Sequence, residues 1–307
     1  MFARFRDENA TATSGFSIPG VLFAPESDNT DVSAVHCLTL RDGRQLGWSE
    51  YGCRHGYPIL YMHREGSCRL DAGFFDAFAR DAGFRLIAVD RPGMGASDYG
   101  VMHSADQVAH DCEQLVHQLG LRRFGVLSLG GGSVFALALA SRLRQRCAFV
   151  ALLLPVEQPC QLTGNAVFRT VFTLGLRTLI SLRRSVSRRD PGFYLQRWTE
   201  QLSGSERRHS GQQSVLALLK AVSAEALRQG TAGVAQDIWL GSGGCRPGES
   251  DLNMPVHVWS TRKAAVMQTG RESGSDLRWH FVRRQSQLVA GHVASQVFDV
   301  LRAEHNR

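Results

Sequence analysis

No two of the seven cysteines in this 307-residue chain stand at Cys-x-x-Cys spacing. They are odd in number, scattered over positions 37, 53, 68, 112, 147, 160 and 245, and several fall in apolar runs that read as core. That argues against a disulfide framework and points to a reducing cytoplasm. Long hydrophobic runs are missing too: none approaches the roughly 18 residues of a membrane span, and the N-terminal MFARFRDENATATSG has no apolar segment of the secretion-signal kind. The expectation is a soluble, cytoplasmic protein without a transmembrane segment. The net charge of +7 and the pI near 9.3 come mostly from arginine and favour anions. No basic run interleaved with aromatics occurs, so nucleic acid is not an expected partner. There is no Gly-Lys-Ser/Thr of a phosphate loop, and Phe135 stands where a dinucleotide fingerprint starting at Gly130 needs its third glycine. The eleven histidines show no ligand spacing with carboxylates or cysteines. Neither a metal nor any other cofactor is expected.

What is present is a rhythm of short apolar runs and amphipathic helices. Residues 1–33 are polar and read as a flexible arm. Cys37 to Trp48 carries the turn signal Asp42-Gly43 between two strand-like stretches. Buried strands are expected at Ile59–Met62, Arg85–Val89, a run into Gly125, Ala148–Leu154 and Val256–Trp259. Helices are expected at Ala72–Ala82, Gln107–Leu119 and Val293–Leu301. Such alternation implies parallel βαβ units with helices on both faces of a mostly parallel sheet, an α/β fold. Residues 155–237 break the rhythm and are helical in pattern, so they read as a cap inserted between core segments 34–154 and 238–307. From Arg169 to Arg208 this cap carries nine arginines against Asp190, Glu200 and Glu206.

Three segments carry a family likeness. His63-Arg-Glu-Gly-Ser-Cys-Arg69 follows the first buried strand, Asp90-Arg-Pro-Gly-Met-Gly-Ala-Ser-Asp98 follows the next, and Gly291-His292 lies near the C-terminus. In order and spacing they resemble the α/β-hydrolase superfamily, in the branch with His-Gly-x-Pro-Gly-Ser-Arg and Asp-Arg-Pro-Gly-x-Gly-x-Ser motifs. The resemblance covers roughly residues 38 to 305. It implies the α/β-hydrolase fold with a helical cap, a serine on a strained strand-to-helix turn, a histidine and an acid to activate it, and backbone N–H groups that hold an oxyanion. Residues are therefore sought at each place.

At the turn, Ser128-Leu-Gly-Gly131 offers Ser128 as nucleophile, but the flanks favour another frame. Relatives place the nucleophile at a set spacing after Arg-Phe and before an alanine where the helix must pack on the sheet; matched to Arg123-Phe124 and Ala136, the resemblance implies Gly130 at the apex. The acid's place after Pro255-Val-His-Val-Trp259 falls on Ala264, with Glu157 as an alternative carboxylate. His292 keeps the histidine's place. In the first loop, Arg64 stands where relatives have glycine, and a guanidinium there adds a fixed charge and five donors.

The resulting site assigns His292 to proton transfer and His63, Arg64, Gly130 and Gly131 to substrate binding. The degenerate triad implies non-hydrolytic catalysis of lyase, isomerase or cyclase type on a small, anionic or carrier-bound molecule. Two alternatives stay open: a serine hydrolase or acyltransferase using Ser128, His292 and Glu157, and a pseudoenzyme that binds a small molecule or partner. The apolar, arginine-rich segment from Val167 suits an acidic carrier protein, and a homodimer is a further partner to consider.

Overall fold

The computed structural model describes residues 34–155, 166–189, 212–242, 252–260, 276–282 and 291–306. The arm 1–33, Glu157 and Ala264 lie outside the described residues, and so does the His292 side chain.

Eight strands form one sheet in the order β1-β2-β4-β3-β5-β6-β7-β8. They are β1 (His36–Thr39), β2 (Gln45–Gly52), β3 (Tyr57–Met62), β4 (Phe84–Val89), β5 (Phe124–Leu129), β6 (Cys147–Leu153), β7 (Val256–Ser260) and β8 (Leu277–Phe281). The β1–β2 and β2–β4 pairs are antiparallel; every other pair is parallel. The parallel strands are apolar almost throughout, because helices cover both faces and leave no wet side to alternate toward.

On one face lie α2 (Ala105–Gln118) and α3 (Gly132–Arg142), whose Cys112, Leu115, Phe135 and Leu139 pack on Leu60, Ile87 and Val126. On the other lie α1 (Asp76–Ala82) and α7 (Gly291–His305), whose Ala79 and Phe298 pack on Ile59, Leu86 and Leu127. The central strand β5 thus sends Phe124 and Val126 one way and Leu127 and Leu129 the other.

Among the described residues between β6 and β7 lie three helices: α4 (Ala166–Arg189), α5 (Gln212–Ala226) and α6 (Ala232–Ser242). Leu176 and Ile180 of α4 pack on Val234, Ala235 and Ile238 of α6. The expected cap boundary at 237/238 falls inside α6. Among the described residues no helix is long and apolar enough to cross a membrane.

Two helix boundaries differ from the sequence expectation. The segment expected as one helix from Ala72 is a 3-10 turn over Arg69–Phe75 followed by α1, with Asp71 turned inward onto the hydroxyl of Tyr61. Helix α2 starts at Ala105 rather than Gln107, because the Gln107 side chain accepts the N–H of Ser104 in a capping box. Strand β8 was not expected, since its half-exposed Leu-Arg-Trp-His-Phe shows no alternation.

The β7–β8 edge carries a stacked group. His257 and His280 lie with ring centroids 5.3 Å apart, and His280 stacks on Trp259 at 4.3 Å. His257 Nδ1 is 3.1 Å from His280 Nε2, and its Nε2 is 3.6 Å from Glu304. Burial, reinforced by His280 and Arg278, pulls the His257 imidazole down from 6.5 to about 4. It is neutral in the fold, whereas the unfolded chain takes up a proton near 6.5, so its contribution is present above 6.5 and lost as pH falls toward 4. The expected slope is roughly 1.4 kcal/mol per pH unit across that window. Urea unfolding between pH 7 and 4 checks this, and His257→Phe is expected to flatten the decline.

Candidate active site

The C-terminal ends of β3, β4 and β5 lie side by side in register, Val89 and Ser128 both opposite Met62. Three loops therefore meet at one edge: 63–69 after β3, 90–98 after β4, and the turn into α3. In open α/β sheets this edge is where ligands bind.

The turn is built by glycine. Gly130 has φ +56°, the left-handed region, and its N–H donates to the carbonyl of Leu153 at 2.9 Å. Gly132 opens α3 so close to β3 that a β-carbon there would run into the carbonyl oxygens of Met62 and His63. Gly130 thus occupies the apex of the strand-to-helix turn. Ser128 lies two residues earlier, inside β5, with no exposed surface. Alternation puts it on the α3 side of the sheet with Val126, and its Oγ has no hydrogen-bond partner among the described residues.

The first loop is held from below. His63 is fully buried; its Nδ1 lies 2.8 Å from the carbonyl oxygen of Arg64, and its Nε2 accepts the N–H of Arg91 at 3.4 Å. Burial and the nearby Arg91 push its imidazole far below 6.5, so the ring is neutral, with the proton on Nδ1. Both nitrogens are engaged. These contacts tie His63 into the loop.

Arg64 departs from its expected role. Its guanidinium pairs with the fully buried Asp71 at 2.9 Å, and Asp71 in turn accepts the Tyr61 hydroxyl at 3.0 Å. A charge matched in this way is not free to clamp an anion.

Glu65 comes to the turn instead. Its Oε2 accepts the N–H of Gly131 at 2.6 Å, at the N-terminus of α3. This amide follows the apex residue, the place from which a serine enzyme of this frame binds its oxyanion. Burial raises the Glu65 carboxyl above 4.5, and the neighbouring Asp237 adds to the rise.

Asp237 reaches in from α6. It accepts the N–H of Gly66 at 3.0 Å and the Nη2 of Arg91 at 2.8 Å, with Arg91 Nε on its other oxygen. Arg91 also donates to the carbonyl oxygens of His63 and Arg64 at 2.6 and 3.0 Å and stacks 4.4 Å over Phe135.

The 90–98 loop is structural in every contact it makes. Asp90 accepts the N–H of Arg69 at 2.6 Å, its Nη1 at 2.7 Å and the N–H of Ala96 at 2.8 Å. Ser97 bridges the carbonyl of Asp90 and the N–H of Gly47. The connection between α5 and α6 grips the same loop, Arg228 and Gln229 donating to the carbonyl of Gly95, while Glu225 of α5 pairs with Arg69.

A mostly parallel sheet flanked by helices on both faces is shared with solved structures. A protein from Nakamurella multipartita described as an α/β-hydrolase fold protein superposes with TM-score 0.60 at 20% identity, over 88% of this chain and 99% of that one. The chain has the α/β-hydrolase fold. Other structures with this fold include an enol-lactonase from Burkholderia xenovorans LB400, at TM-score 0.64, 16% identity, and 89% and 100% coverage. A thermophilic esterase from Thermogutta terrifontis matches at TM-score 0.61, 19% identity, and the same coverage.

Among curated proteins, a non-heme chloroperoxidase from Streptomyces lividans is 34% identical over 103 residues, 32% of this chain and 36% of that protein. The chain therefore aligns with about a third of that relative's length. No family model matches the chain.

Within the α/β-hydrolase fold, Gly130 and Gly131 come together with Arg64 and with Glu65, which sequence reasoning did not assign. Ser128 lies below them in the sheet. Helix α7 contains position 292, and Glu157 lies outside the described residues. Among the described residues no group of three or more His, Cys, Asp or Glu suits a metal ion.

Proposed function

We propose that this chain is a cofactor-independent enzyme that uses the α/β-hydrolase frame for chemistry without an acyl-serine intermediate, of lyase, isomerase or cyclase type, on a small molecule. One observation carries the reading: the apex of the turn, Gly130 at φ +56°, has no side chain, while the Ser128 hydroxyl lies sealed in β5. Covalent acyl transfer needs a nucleophile within hydrogen-bond reach of a base and beside the oxyanion donors. Here the donor N–H of Gly131 already holds a carboxylate. The position of residue 292 on α7 supports His292 as the proton-transfer partner, since an imidazole titrates near neutrality.

The test uses a fluorophosphonate probe and p-nitrophenyl acetate. No labelling and no turnover above background are expected. Labelling that maps to Ser128 and vanishes in Ser128→Ala would overturn the reading.

An acidic carrier protein is supported as the deliverer of substrate. Helix α4 exposes Val167, Phe168, Val171, Leu174 and Leu182, and its sequence has six arginines and no acid. Salt-sensitive binding of an acyl carrier protein, weakened by Arg177→Glu, is the check.

A further inference from the structure

A carboxylate, rather than a hydroxyl, stands at the head of the elbow, and it comes from another loop. A β-carbon built on Gly130 or on Gly131 would lie 2.8 Å from Glu65 Oε2. The glutamate thus fills the volume that an apex side chain would enter, and it fits only because the turn is glycine.

Its setting is that of a working base. The side chain is half-buried, so it reaches the site edge while most of its water is stripped away. A carboxylate that has lost water binds a proton more tightly and accepts one more readily. The Gly131 amide fixes its orientation at 2.6 Å.

The charge balance around it points the same way. Arg64 is matched by Asp71 at 2.9 Å, and Arg91 by Asp237. Glu65 is the one carboxylate in the 63–69 sequence, and Asp237 lies close by and raises its carboxyl more than the Asp71-paired Arg64 lowers it. An anionic ligand would meet repulsion here. A neutral one would not.

We propose that Glu65 is the catalytic proton acceptor of this site, and that its substrates are small neutral carbon acids rather than anions. This rests on the non-hydrolytic reading above and deepens it. In the step, a Glu65 oxygen takes a proton from a C–H bond next to an electron-withdrawing group. The C–H electron pair forms a new π bond, and the displaced pair moves onto a carbonyl oxygen or a leaving atom of the same substrate. The proton then returns from Glu65 to another substrate atom or to the leaving group, restoring the carboxylate. No oxidant, reductant or co-reactant is required.

The neutral probe 5-nitrobenzisoxazole tests this directly. A base removes its ring C–H proton, the electron pair forms a nitrile, the N–O bond breaks, and a coloured cyanonitrophenolate is released. The full chain is expected to exceed acetate at equal concentration by about 100-fold or more, the scale of a positioned general base. The rate should rise with pH and level off once Glu65 is ionised. Glu65→Gln should return the rate to background, Glu65→Asp should retain part of it, and Ser128→Ala should leave it unchanged. As a measurement on the unmutated chain, a small aryl glycidyl ether, which alkylates desolvated carboxylates, should label Glu65 in peptide mass analysis.

A rate no higher than acetate would overturn the proposal, as would a folded Glu65→Gln variant of full activity or a label that avoids Glu65. Fluorophosphonate labelling of Ser128 would instead sink the non-hydrolytic reading, whatever the probe shows.

Discussion

Asp90→Ala is expected to cost about 3–5 kcal/mol of folding stability, the range for removing one partner of a buried ion pair. Asp90 has no exposed surface and Arg69 only 2%. Removing the carboxylate strips Arg69 of two hydrogen bonds and orphans the N–H of Ala96. The guanidinium would keep Glu225 and Ser49. It would still sit at the junction of β4, the 3-10 turn and α5 with the fully buried one of its two countercharges gone. Asp42→Ala is the control: that carboxylate is 54% exposed in its pairing with Arg44, and a loss within about 1 kcal/mol is expected. Urea unfolding of the two variants beside the parent decides it. An Asp90→Ala cost as small as the control's would mean that Asp90 is not the anchor described above.

The second large effect concerns the turn. Gly130→Ser is expected to destabilise by roughly 1–3 kcal/mol and to give no esterase activity. A side chain at φ +56° is strained, and the new β-carbon would meet Glu65 Oε2 at 2.8 Å and Arg64 Cβ at 3.3 Å. Truncating Glu65 relieves the steric part and leaves the strain. In a double-mutant cycle Gly130→Ser should therefore cost less in a Glu65→Ala background. Equal costs in both backgrounds would show that the two residues do not compete for the same space.

These two sites also mark what the sequence made legible. The apolar runs of β3, β4, β5 and β6 were readable because strands covered on both faces carry an uninterrupted hydrophobic signal. The turn was readable because two local distances, from Arg123-Phe124 forward and from Ala136 back, converge on the glycine that has the left-handed φ. Contacts across long separations were not readable. Glu65 meets Gly131 over 66 residues, and Asp237 meets Gly66 over 171. Nothing in the spacing of either carboxylate predicts its partner.

Arg64 shows the same limit at short range. Its partner Asp71 lies seven positions on, just before the helix expected from Ala72, and the 3-10 turn over Arg69–Phe75 points that carboxylate inward. His63 was legible as a loop residue, but its full burial was not, because burial is a property of the packed molecule.

The grip of α6 and of the connection before it on the 90–102 stretch has a consequence for how the two parts can diverge. Arg228 and Gln229 hold the carbonyls of Gly95 and Ser97, and Gln236 holds the carbonyl of Gly100 and the N–H of Met102. All four grips fall on peptide groups, which no side-chain replacement can delete. These attachments therefore survive exchange of side chains in that stretch, while the remaining seating rests on two of its side chains, Arg91 paired with Asp237 and Met94 packed on Val234 and Ile238.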